Sequence, residues 1–301
     1  MASTGSPSRP RATFDCLWCG RSWTTRSPDD LEGWAQLCPD CLGKAGDNPF
    51  LKFRLRDAIV ARGAATAEKA PDAAAPVPDV DSLVDYYEAR AGEYDDWYLR
   101  RGRYARGPIH DAAWNAELDG AGTWLDGLPI HGEIVELAAG TGWWSPLLAS
   151  KGELSIYDAA SAPLDRARDR LLAHDLRAHI HVRDAWAEPD RRVDALFAGF
   201  WLSHVERART GEFLAIARRW LKPGGLFAFI DSLPDPQSGA TDHPAPQDDT
   251  SVRRLDDGRE FTIVKVYREP AELETALRDA GFADARVTTT GRFFVLGSAT
   301  A

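Results

Sequence analysis

The chain has 301 residues, of which 44% are hydrophobic and 27% charged; that is enough to bury one large domain with something small beside it. No uninterrupted apolar run approaches the roughly 18 residues that cross a bilayer, so a membrane partner is not expected. A net charge of −10 argues against a protein that tracks nucleic-acid phosphates, whose affinity comes mainly from Lys and Arg.

Residues 1–12 carry no apolar stretch of the kind a secretory signal needs. They are expected to be a disordered leader on a cytoplasmic protein. Residues 13–62 hold the chain's only cysteines, Cys16 and Cys19 in "CLWCG" and Cys38 and Cys41 in "CPDCLG". Two C-x2-C turns across an 18-residue spacer can present four thiolates to one tetrahedral Zn2+, with Gly20 and Gly43 easing the tight backbone. Disulfides fit poorly with a cytosolic chain, and a redox pair fits poorly with two matched motifs. The module resembles a zinc ribbon. Four thiolates leave no open coordination position, so its metal is expected to be structural. The following "NPFLKFRLRDAIVARG" looks helical in its second half, and residues 63–81 are Ala- and Pro-rich, as in a tether.

Residues 82–301 are expected to form the main domain, opening with a helical lid over 82–130. "SLVDYYEARAGEYDDWYLRRGRY" spaces its aromatic residues for one helix, and "LRRGRYARG" at its end holds the cluster Arg100, Arg101, Arg103 and Arg106. That cluster reads as a solvated helix end. "HDAAWNAELDGAGTWLDGL" is a second helix. Strands at "EIVELA", "LSIYD", "HIHVRDA", "VDALFAGFWL" and "GLFAFIDS" then alternate with helices at "WWSPLLASKG", "APLDRARDRLLAHD" and "ERARTGEFLAIARRWLK". Continuous apolar strands in βαβα order predict a parallel sheet covered on both faces. Residues 232–251 are polar and rich in Pro and Asp, and are expected to be a mobile loop near the acceptor entrance. A hairpin around Asp257 and Gly258 follows. After one more helix, "DARVTTTG" and "RFFVLGSA" are joined too tightly for a crossover, so they should be antiparallel.

Ligands of such sheets lie beyond the carboxyl ends of the strands, where "VELAAGTGWWS" ends in Gly140 and Gly142. The stretch can be read as a dinucleotide fingerprint, but Trp143 would crowd a pyrophosphate. Four motifs in order give another reading. "VELAAGTG", "YDAA" with Asp158, "VRDAWA" with Asp184, and the "WLKPGGLFAFID" turn together resemble class I S-adenosylmethionine-dependent methyltransferases, over about residues 83 to 298. The nearest likeness is to menaquinone-type and related small-molecule enzymes.

The resemblance implies an α/β Rossmann-like fold: a mostly parallel seven-stranded sheet with an antiparallel last strand and helices on both faces. S-adenosylmethionine would be held by the loop of Ala138, Gly140, Thr141 and Gly142. Asp158, with Ala159 beside it, would take the ribose hydroxyls; Asp184 and Ala185 would take the adenine, with Trp186 covering its face. Glu136 would lie near the ligand's ammonium. Of the paired tryptophans, Trp143 is assigned to the cofactor, one of the pair roofing its methionine portion while the other packs in the core. His204 is the candidate general base. Tyr86, Tyr87, Tyr94, Trp201 and Asp231 are candidate walls of the acceptor pocket. A small-molecule acceptor and a monomer or homodimer are expected. The alternative is a tRNA or rRNA methyltransferase in which the ribbon and the arginine cluster grip the substrate.

Overall fold

The computed structural model describes residues 13–15, 21–24, 80–246 and 248–301. The chain divides into two units, Met1–Ala75 and Pro76–Ala301. In the first, strands β1 (Thr13–Asp15) and β2 (Ser22–Thr24) pair antiparallel, with Phe14 opposite Trp23. Cys16, Cys19, Cys38 and Cys41 lie outside the described residues.

The second unit opens with α1 (Val80–Arg90) and α2 (Asp95–Leu99). The single helix expected here is therefore two. A turn over residues 91–94 separates them, and Arg100 closes α2 in the left-handed region at φ 51°. α3 (Pro108–Gly127) follows, with Pro at its start, where a missing N–H costs nothing. It buries Trp114, Leu118, Ala121 and Leu125, one stripe at helical spacing. Complete burial of Trp114 contributes on the order of 2–3 kcal/mol.

The alternating elements come next: β3 (Gly132–Leu137), α4 (Ser145–Ala149), β4 (Gly152–Asp158), α5 (Ser161–Ala173), β5 (His179–Val182), β6 (Val193–Gly199), α6 (Thr210–Trp220) and β7 (Leu221–Ser232). Two short 3-10 turns, Leu202–His204 and Arg207–Arg209, precede α6, so the helix starts later than its sequence suggests. β8 (Thr250–Arg254) and β9 (Glu260–Val264) form a separate antiparallel hairpin. α7 (Pro270–Asp279), β10 (Ala283–Thr289) and β11 (Phe294–Thr300) complete the unit.

The main sheet has seven strands in the order β10-β11-β7-β6-β3-β4-β5. β7, β6, β3, β4 and β5 run parallel, whereas β11 inserts antiparallel against β7 and β10 against β11. Two apolar clusters hold the layers. One, around Phe213, Trp220 and Phe227, packs α6 and α7 on the sheet. The other, around Trp114, Trp144 and Phe293, packs α3, α4 and α5. From β3 the chain winds outward through β4 and β5, then returns to β6 on the other side of β3 and winds outward again to β7, so strand order reverses between β3 and β6 and a crevice opens above their carboxyl ends. No helix among the described residues is long and apolar enough to cross a membrane.

Candidate functional site

Two cavities meet above that crevice. The smaller, about 50 Å³, is lined at four strand ends: Ala138 and Gly140 after β3, Asp158 to Ala160 at β4, Ala185 after β5, and Gly199 to Trp201 at β6. Ala138 (φ 51°) and Phe200 (φ 58°) are non-glycine residues in the left-handed region, a conformation that costs about 1–3 kcal/mol and concentrates at ligand sites.

Asp158 organises this floor. Its Oδ2 accepts the Gly140 N–H at 2.8 Å and its Oδ1 accepts the Ala160 N–H at 2.9 Å. Burial pushes the carboxyl up to about 6 although both amides favour its charge. Gly140 (φ 55°) leaves room for the Tyr94 hydroxyl, which would lie 3.1 Å from an added Cβ. Gly142 has a different task. A Cβ there would meet Ala167 of α5 at 2.7 Å, so this glycine admits a helix and not a ligand.

Several residues expected at the cofactor do not line this cavity. Thr141 donates to Asp95 at 2.6 Å and ties the loop to α2. Trp143 stacks on Tyr98 of α2 with ring centres 4.2 Å apart and lies beside Arg170. Trp144 is in the core against Phe197, and Gly199 lacks a side chain where the Trp144 ring passes. Glu136 is 1% exposed and accepts the Ser145 hydroxyl at 2.5 Å; burial raises its carboxyl to about 8. Asp184 accepts the Trp186 N–H at 2.8 Å, and Trp186 packs on Phe213 under the Arg209 guanidinium. Ala159 and Ala185 do line the cavity.

The larger cavity, about 640 Å³, lies between α1, the loop after β7 and the β8–β9 hairpin. Tyr86, Tyr87 and Tyr94, the candidate acceptor walls, line it. Trp201 lines the smaller cavity instead. Asp231 lines neither. It is buried because its carboxylate accepts the Ser203 and Ser232 N–H groups at 2.8 and 2.7 Å, which anchors the turn after β6.

Tyr87, Tyr94, Phe200 and His204 line both cavities. His204 Nδ1 is 2.7 Å from the Val264 carbonyl, which can only accept, so Nδ1 carries the proton. The Nε2 lone pair then receives the Tyr87 hydroxyl at 2.7 Å. Burial, with Lys265 next in effect, holds the imidazole well below its ordinary range and keeps it neutral.

The loop after β7 supplies walls from Pro234 to Pro246, and it is tied down by the arginines expected to be solvated. Arg100, 4% exposed, donates to the Gln237 and Ser238 carbonyls at 2.8 and 3.1 Å. Arg106 donates to the Gly239 carbonyl at 2.8 Å, Arg103 pairs with Asp242 at 3.4 Å, and Trp97 Nε1 adds a bond to Ser238. The sequence carries no local signal for this clamp, since the donors and carbonyls are more than 130 residues apart.

Residues 134–225 match the family model described as a methyltransferase domain. No curated protein matches. Among solved structures, DhpI in complex with SAH is 31% identical, over 73% of this chain and 95% of that one, with a TM-score of 0.57. DhpI in complex with SAM and HEP is 30% identical, over 73% and 96%, with a TM-score of 0.58. The Burkholderia thailandensis 1,6-didemethyltoxoflavin-N1-methyltransferase, solved with 1,6-didemethyltoxoflavin and S-adenosylhomocysteine, shares the fold at 16% identity over 77% and 97%, TM-score 0.50.

Proposed function

This chain belongs to the class I S-adenosylmethionine-dependent methyltransferases, and we propose that it methylates a small-molecule acceptor held in the larger cavity. The observation that carries the proposal is the junction. Tyr87, Tyr94, Phe200 and His204 belong to both cavities, so a methyl donor in one and an acceptor in the other would meet there.

The residues of the smaller cavity suit the cofactor. Each Asp158 oxygen accepts one amide and retains a lone pair for a ribose diol. Ala138, Gly140 and Ala185 line the same cavity with at most a methyl group each, which suits close approach of a flat ring or a ribose. Bound there, S-adenosylmethionine supplies a methyl group already activated on a sulfonium.

The remaining work is positioning and proton handling. The aromatic walls exclude water and hold an acceptor atom at attack distance, an effect that contributes roughly 7–11 kcal/mol in well-oriented reactions. An acceptor hydroxyl or amine at the junction passes its proton to the Tyr87 oxygen as the Tyr87 proton passes to His204 Nε2. The Val264 carbonyl keeps the imidazole in the tautomer that can receive it. The acceptor reading is also in keeping with the neighbour that binds 1,6-didemethyltoxoflavin. An RNA substrate is less well supported, because Arg100, Arg103 and Arg106 are engaged with the protein's own loop, and Arg103 also with Glu93.

The test is transfer of label from S-adenosylmethionine across a panel of small acceptors. His204→Gln and Tyr87→Phe should each lower kcat about 100-fold or more while leaving S-adenosylhomocysteine affinity unchanged. Full activity in both variants would remove the proton relay. For the first unit, the C-x2-C spacing supports a structural zinc ribbon on Cys16, Cys19, Cys38 and Cys41. Elemental analysis of chain purified without chelators should find about one zinc per chain, and finding none would refute the ribbon.

A further inference from the structure

In this acidic protein the larger of the two cavities is lined with cations. Arg90, Arg253 and Lys265 all face it, together with His204 and His243. Asp235 is the one carboxylate among its lining residues, and that group is already taken by Arg292 at 2.6 Å and the Gln237 N–H at 2.8 Å.

The arginines have little of their own to neutralise them. Arg90 lies 4.5 Å over the Tyr94 ring and 5.6 Å from the Tyr86 ring, and its buried Nε has no hydrogen-bond acceptor among the described residues. Arg253 contacts His243 Nδ1 at 3.2 Å, and among the described residues no carboxylate lies within ion-pair distance of it. Lys265 donates to the Ser203 and Ser232 hydroxyls at 2.8 and 3.2 Å, with Asp231 at 3.8 Å. Burial holds its ammonium down to about 8 despite Asp231, and Arg253 and Arg90 push the same way. Ser238 adds a buried hydroxyl without a partner among the described residues. Concentrated like charge in a partly closed, low-dielectric space is unfavourable by itself and is relieved when an anion enters.

Resting on the reading of this cavity as the acceptor site, we infer that the methyl acceptor carries an oxyanion group, phosphate-like or carboxylate, which Arg90 and Arg253 bind with help from Lys265. Guanidinium forks suit such groups because they offer paired donors at matching spacing. The arrangement also couples binding to chemistry. Lys265, Arg253 and Arg90 all disfavour a proton on His204, so an anion among them makes His204 a better proton acceptor only when the acceptor is present.

The test is calorimetric titration of the full chain, at pH 7 and low salt, with inorganic phosphate and separately with acetate. Arg90→Gln and Arg253→Gln are titrated alongside, and S-adenosylhomocysteine is titrated into all three proteins. One site for phosphate, acetate or both is expected, weakened about 10- to 100-fold in each variant, with S-adenosylhomocysteine affinity unchanged. The tighter of the two anions assigns the group. No binding of either anion, or equal binding by wild type and both variants, would overturn the inference. A wild-type chain that binds phosphate but not S-adenosylhomocysteine would overturn the methyltransferase reading and leave the anion site standing, so the two failures are distinguishable.

Discussion

Glu136 shows what one buried carboxyl does to the apo protein. It lies under the glycine loop with a single hydroxyl donor, Ser145, and burial raises its pKa from 4.5 to about 8. Between those values the folded chain keeps a proton that the unfolded chain has released. Stability from this group is therefore complete below about 4.5 and is lost as pH rises through about 8. Denaturant melts from pH 5 to 9 should show wild-type stability falling with pH by up to one proton's worth of slope more than Glu136→Gln, whose amide does not titrate. Equal slopes in the two proteins would contradict the assigned burial. His204 works in the opposite sense, since its lowered pKa keeps it neutral and available as an acceptor below pH 6.5.

At the level of elements, α2 and the loop after β7 are tied together. α2 ends in Arg100, whose two donors hold the Gln237 and Ser238 carbonyls, and Trp97 of the same helix holds Ser238 as well. Arg100→Met should speed amide exchange across residues 234–246 and raise the acceptor KM, with S-adenosylhomocysteine affinity intact. Unchanged exchange would mean that the other ties suffice. The central strands β3, β4, β6 and β7 were legible in the sequence because each is a short, largely apolar run beside turn residues, and Asp158 and Ala185 were legible as residues at or just past strand ends. The clamp was not, because it joins side chains to backbone carbonyls far along the chain. Nor could spacing distinguish Gly140, beside Tyr94, from Gly142, beside Ala167. Spacing also could not show that Trp143 packs against Tyr98 and Trp186 against Phe213, outside the lining of the smaller cavity. Arg90, Arg253 and Lys265 were missed altogether; they come from α1, β8 and the residue after β9, and only the folded chain brings them to one cavity.

For the molecule as a whole, a net charge of −10 coexists with a cationic cavity beside a carboxylate-floored cleft. On the function proposed above, one cavity takes the donor and the other the acceptor; the two share four side chains, and Asp158 shapes the floor of the smaller one. The most direct test is calorimetric titration of S-adenosylhomocysteine into wild type and Asp158→Ala. Removing the carboxylate deletes the proposed acceptor for a ribose diol and frees the Gly140 and Ala160 amides, so affinity should fall about 10- to 100-fold while the fold persists by circular dichroism. Binding of equal strength in the two proteins would contradict the cofactor cleft described above.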